Sequence, residues 1–205
     1  MIFGNKAKGM KPSAKAAVDT AALAAARVAH GVRKEQRRSG RRELAFGFER
    51  LFVPSIIRDY TMLLMRQHGL LGAERFLVWA GSPAGKDAVV TTVVVPRTDA
   101  TNLHGEIPAE VVAALFESLD SRDLVPFAQL HTHPASARMS SIDRERPVVA
   151  IQGFLSIIVP NFAFTSDEPE AWNVYEYRAR LDWLLWSKKD VAGRLVIDDS
   201  IVQVE

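Results

Sequence analysis

Cysteine does not occur anywhere in the 205 residues. This absence removes disulfides, removes thioester chemistry on the chain itself, and excludes a closed structural zinc site of the Cys-rich kind. It also suits a cytoplasmic protein. Long apolar runs are missing too. The longest uncharged stretch, Pro147 to Ser166, is interrupted by Gln152, Pro160 and Asn161. It reads as a buried strand with its flanks and not as a membrane span. No internal repeat is visible. With 48% hydrophobic and 24% charged residues, the rest of the composition is that of a soluble globular protein. The length predicts one domain with an appendage.

The net charge of +2 hides an asymmetry. Residues 1–42 carry eleven Lys and Arg against only Asp19 and Glu35, so the remainder of the chain is net acidic. Ser13 to His30 is alanine-rich, with Val18, Leu23 and Val28 as its larger apolar groups; it has high helix propensity and little to bury. Residues 1–42 are therefore read as a basic, mobile or helical extension, and 43–205 as the folded domain. The extension has a second reading as a docking arm for an acidic partner, nucleic acid or anionic lipid. A third is an organelle presequence; a secretory signal does not fit, because Asp19 and Arg27 interrupt the apolar stretch.

Within the body, Ala45-Phe46-Gly47-Phe48 reads as a short strand or turn. Pro54 to His68 reads as a helix, with Pro54 in its first turn and Ile56, Tyr60, Leu63, Leu64 and Gln67 at three- and four-residue spacing. A strand Arg75–Ala80, a turn Ser82–Asp87 and a β-branched strand Ala88–Pro96 follow. Thr98 to Ile107 is a polar loop, and Pro108 to Leu119 an amphipathic helix. Val125–Leu130, Phe154–Val159, Trp172–Tyr177 and Leu195–Ile197 are strand candidates, and Arg180 to Trp186 is a short aromatic-rich segment. This order fits a mixed α/β (α+β) fold.

The stretch with chemical content is Leu130-His131-Thr132-His133-Pro134, followed by Ser140 and Asp143. Two residues in an H-x-H pair on a strand point to the same face, because side chains there alternate with period two. Ser140 and Ser141 are helix-start residues, and Asp143 falls in the first turn. His131, His133 and Asp143 thus read as three ligands for one metal ion. Two imidazoles and a carboxylate suit a catalytic zinc, which takes three protein ligands and keeps a fourth position open. A carboxylate base within hydrogen-bond reach of the attacking water is still required.

These residues resemble the JAB/MPN (JAMM) metalloprotease family. Its signature is a glutamate far upstream, then His-x-His, seven residues, Ser, two residues, Asp. The positions that match are Glu74, His131, His133, Ser140 and Asp143. Glu74 opens the apolar strand Arg75-Phe76-Leu77-Val78-Trp79-Ala80, with Gly81 seven residues after it. The resemblance spans about residues 45–165. One departure is plain: six residues, not seven, separate His133 from Ser140, and choosing Ser141 instead leaves one residue before Asp143.

The resemblance implies a curved β-sheet flanked by helices and one zinc ion on His131, His133 and Asp143. It also implies Glu74 as the general base and Ser140 as the donor to the oxyanion. The implied activity is cleavage of isopeptide or peptide bonds after the C-terminal glycine of ubiquitin or a ubiquitin-like protein, as deconjugation or precursor maturation. The modifier or its conjugates, and the matching activating and conjugating enzymes, are the implied partners.

Other readings stay open on the residues alone. The histidines could be hydrogen-bonded strand residues, and Glu74 a solvated residue after a glycine turn. Ser140-x-x-Asp143 is also a plain capping-box pattern. Asp120, Asp123 and Glu106 read as surface, His68 and His104 have no partner pattern and read as surface or core, and Arg138 reads as a solvated arginine with a second reading as a contact to substrate backbone or an anionic tail. At the level of function, the alternatives are a metal-free MPN scaffold and a zinc amidohydrolase of another substrate.

Overall fold

The computed structural model describes residues 47–96 and 107–200. The basic segment 1–42, the Ala45-Phe46 pair and most of the loop Thr98–Ile107, with His104 and Glu106, lie outside the described residues.

The body begins with a short strand, β1 (Leu51–Pro54), that pattern reading did not single out. Four residues are too few to show alternation, and its partners lie far away in sequence. Pro54 closes the strand and caps helix α1 (Ser55–Gly69) with φ −53° and ψ 139°. Proline suits this junction, because the first N–H groups of a helix lack intrahelical partners in any case. The helix is where the sequence places it, but its buried face differs. Thr61, Met62 and Met65 are buried, whereas Ile56, Tyr60 and Leu63 are 67%, 50% and 50% exposed. Apolar residues occur on both sides of this helix, so spacing alone selects two faces. Packing chooses the side where Thr61 Oγ1 donates to the Ile57 carbonyl (2.7 Å) and accepts from Trp79 Nε1 (2.8 Å).

Strands β2 (Phe76–Ala84) and β3 (Asp87–Val94) form a tight antiparallel hairpin. The expected turn from Ser82 is in fact strand, because pairing with β3 carries Gly81-Ser82-Pro83 to Ala84 despite their low propensity. The register shifts between Ala80 and Gly81 against β3, and between Trp79 and Ala80 on the opposite edge. Such bulges bend and twist a sheet. Glycine is required at the bend: a Cβ on Gly81 would sit 2.0 Å from the Val89 carbonyl oxygen.

The remaining elements are α2 (Ala109–Asp120), β4 (Val125–Thr132), α3 (Ser141–Glu145), β5 (Leu155–Val159), β6 (Asn173–Ala179), β7 (Asp182–Leu185), α4 (Lys188–Arg194) and β8 (Leu195–Asp198). The eight strands form one mixed, curled sheet in the order β7-β6-β5-β4-β2-β3-β1-β8. The fold is α+β. The central strand β4 is buried along its whole length, antiparallel to β2 and parallel to β5. A parallel neighbour needs a crossover, and the segment that supplies it contains His133, Ser140 and Asp143. No helix among the described residues is long and apolar enough to cross a membrane.

The two sheet faces have different interiors. One carries the main core, including Leu77, Trp79, Leu130, Leu155, Ile157 and Trp172, beneath Met62 and Met65 of α1. The other carries two smaller clusters. Val78 and Ala80 pack with Leu115 and Leu119 of α2, with Phe76 against them. Ile158, Tyr175, Tyr177 and Trp183 pack with Met139. His131 pairs with Phe76 on one side and Ile158 on the other, so it lies in the seam between these clusters.

Candidate metal centre

Strand alternation puts Leu130 into the main core and His131 onto the opposite face. His133 follows just past the end of β4, where its N–H still donates to the Val159 carbonyl (3.0 Å). Between them Thr132 ties the two strands together. Its N–H donates to the Arg75 carbonyl (3.2 Å), and its hydroxyl accepts from the Arg75 N–H (3.0 Å). Continuing this antiparallel register sets Glu74 across from His133, and the Glu74 charge is close enough to act on that imidazole.

The third group arrives on α3. Ser140 is its N-cap and forms a reciprocal capping box: Asp143 N donates to Ser140 Oγ (3.2 Å), and Ser140 N donates to Asp143 Oδ2 (2.8 Å). The box does not compete with ligation, since it aims the carboxylate at the histidines. His131 Nε2 lies 3.4 Å from Asp143 Oδ1, and His133 Nε2 lies 3.4 Å from Asp143 Oδ2. The two Nε2 atoms are 3.1 Å apart. A tetrahedral ion with bonds of about 2.0–2.1 Å sets its ligand atoms about 3.3–3.4 Å apart. The two imidazole nitrogens approach that spacing, each imidazole faces its own oxygen of the Asp143 carboxylate, and one ligand atom from each of the three residues lies within 4.8 Å of the others, a set that could hold a metal ion.

The electrostatics follow from the crowding. Burial works to raise the Asp143 pKa, but hydrogen bonds from His131 and His133 overcome it and hold the carboxyl well below the usual carboxylate range. Burial works to lower the His133 pKa, yet the Asp143 hydrogen bond and the Asp143 and Glu74 charges raise it overall. The Ser136 backbone acts on His133 in the same upward direction.

Loop 134–139, one residue shorter than in the motif the sequence resembles, still brings Asp143 to the two histidines. Met139 is buried beside Tyr175 and Trp183, and its N–H donates to the Tyr175 hydroxyl (3.2 Å). Trp183 Nε1 donates to the Arg144 carbonyl (3.2 Å), fastening α3 to the same cluster. Thr132, Tyr175 and Trp183 thus position the site, and none carries a motif signal of its own. Ser140 is exposed at its edge, as is Arg138. Asp120 and Asp123 are exposed at the far end of α2. His68 stands apart from the ligand set, with burial and then the Arg75 charge lowering its pKa.

A mixed, curled α+β fold thus brings His131 of its central strand, His133 just past that strand and Asp143 of α3 together as a group that could hold a metal ion. No family model matches the chain. Over 124 residues the chain is 31% identical to the probable metalloprotease y4jG of Sinorhizobium fredii (strain NBRC 101917 / NGR234), covering 58% of this chain and 76% of that protein. The chain belongs to the metalloprotease family of that relative. Its fold is also similar to the solution structure of protein DSY2949 from Desulfitobacterium hafniense. That match has a TM-score of 0.53 at 14% identity and covers 74% of this chain and 94% of that one.

Proposed function

We propose that this chain is a zinc-dependent isopeptidase or peptidase of the JAB/MPN (JAMM) type, cleaving after the C-terminal glycine of ubiquitin or a ubiquitin-like protein. The observation that carries the reading is the convergence of His131, His133 and Asp143 at 3.1 to 3.4 Å, with Glu74 opposite His133. Metalloprotease kinship supports the reaction class.

His131, His133 and Asp143 would hold the ion. When bound, zinc supplies Lewis acidity, which brings the pKa of a water to about 7 and polarises the amide carbonyl. Glu74 accepts the proton of the attacking water and passes it to the departing amine. The Ser140 hydroxyl, at the exposed edge of the site, is the donor to the oxyanion in this reading. The Asp143 carboxylate stays ionised through the working pH range, since its histidine partners depress its pKa. An extended Gly-Gly tail suits such a site because glycine allows close backbone approach. The modifier's activating and conjugating enzymes are the matching partners in this reading.

The test is hydrolysis of a ubiquitin-like protein fused through its Gly-Gly terminus to a reporter amine, with and without chelator, beside Glu74→Gln. Zinc-dependent cleavage that disappears in Glu74→Gln supports the reading. Zinc binding without cleavage of any Gly-Gly amide points to a zinc amidohydrolase of another substrate. Failure to take up zinc at all points to a scaffold.

A further inference from the structure

The segment that follows β5 has a backbone feature no sequence pattern announces. Asn161, Phe162 and Ala163 have φ of 51°, 51° and 67°. Three consecutive non-glycine residues in the left-handed region are unusual, because each brings its Cβ close to a carbonyl oxygen. Such a turn persists only where its surroundings over-determine it.

The surroundings here are specific. Within the turn, Ala163 N donates to the Pro160 carbonyl (3.0 Å) and Phe164 N to the Asn161 carbonyl (2.9 Å). From α1, Arg66 Nε donates to the Ala163 carbonyl (2.7 Å), and the same guanidinium pairs with Asp167. Gly69, the last residue of α1, lies directly on the turn. A Cβ added there would meet Phe162 Cβ at 2.4 Å, Phe164 Cε2 at 3.0 Å and the Phe162 carbonyl oxygen at 3.1 Å. The turn is tied to the candidate ligand His133 through its backbone: Phe162 N donates to the His133 carbonyl (3.0 Å). With His133 N bound to Val159, both peptide groups of this residue are fixed, one by β5 and one by the left-handed turn.

We infer that the left-handed turn Asn161–Ala163, clamped by Arg66 and Gly69 of α1, is the device that positions His133 for the metal. Gly69, Arg66 and Phe162 act as positioning residues through the His133 backbone and touch neither metal nor substrate. The inference rests on the metal-centre reading. It extends that reading by making the end of α1, on the far side of the turn, a determinant of metal affinity. Residues that orient a ligand typically change metal affinity about 10- to 100-fold when lost.

The experiment measures zinc affinity by competition with a chromophoric chelator, with circular dichroism as a check on folding. Gly69→Ala, whose new methyl must displace Phe162, is expected to weaken zinc about 10-fold or more. Adding Phe162→Gly removes the clashing Cβ and tolerates positive φ, so the double variant recovers affinity. Adding Phe162→Ala, which keeps the Cβ, does not. Placed on His133→Ala, Gly69→Ala causes no further loss, because the route through His133 is already gone. Arg66→Gln, which releases the other side of the turn, is the second probe should Gly69→Ala fold poorly, and it is expected to weaken zinc in the same direction. Wild-type affinity in both Gly69→Ala and Arg66→Gln overturns the inference. So does an equal loss on the His133→Ala background, which marks a general structural effect. A wild-type protein that binds no zinc overturns the metal-centre reading and this inference with it.

Discussion

Ser140 carries two roles that one substitution would confuse and two substitutions separate. Its hydroxyl caps α3 by accepting from Asp143 N at 3.2 Å, and in the proposed mechanism it also donates to the oxyanion. Losing a serine cap to alanine costs about 1 kcal/mol, whereas glycine at the same position costs only a few tenths. For a domain of this size, 1 kcal/mol is a shift of about 2–4 °C in Tm. Losing an oxyanion donor costs about 3 kcal/mol of barrier, or about 10²–10³ in kcat. Ser140→Ala should therefore lower Tm by a few degrees and kcat by two to three orders of magnitude. Ser140→Gly should leave Tm nearly unchanged and lower kcat by the same factor. The assays are thermal unfolding of the zinc-loaded protein and steady-state hydrolysis of a Gly-Gly-linked substrate. If Ser140→Gly keeps kcat within about threefold of wild type, the donor role is wrong and Ser140 is a helix cap alone.

Glu74→Gln removes the base while keeping the shape of the side chain, so turnover should be abolished with zinc still bound; full hydrolysis in this variant would refute the base assignment. Leu130→Ala empties a fully buried position beneath the histidines and should cost about 2–5 kcal/mol in urea unfolding; a loss under 1 kcal/mol would mean the core collapses around it. In the metal-free protein, the raised His133 pKa stabilises the fold below its unfolded value of about 6.5, and that contribution is lost as pH rises through the folded pKa. The lowered Asp143 pKa acts in the opposite direction. Its contribution is present above about 3.9 and is lost as pH falls through the folded pKa. Melting curves in chelator should accordingly decline above about pH 6.5, and His133→Gln should flatten that decline.

The convergence of His131, His133 and Asp143 was legible because each part has a short-range signature. Strand alternation places His131 and His133 on one face, and Ser140-x-x-Asp143 announces a helix start that is present as a capping box. The strands around Val90, Leu130 and Ile157 were legible from their runs of apolar and β-branched residues. What was not legible depends on long-range partners. β1 exists because parallel neighbours β3 and β8 pair with it, and the buried face of α1 is chosen by Trp79 and the sheet. α4 follows a second capping box, Ser187 with Asp190, which is the signal that would have found it. The left-handed turn Asn161–Ala163 contains no glycine, and only Pro160-Asn161 hints at a turn there, so its three consecutive positive φ values have no local mark.

Zinc content by elemental analysis, on protein purified without added metal, tests the central claim most directly. The wild type is expected to carry about one zinc per chain, lost in both His131→Ala and Asp143→Ala. A wild-type protein that carries no zinc and takes none up on titration would contradict it.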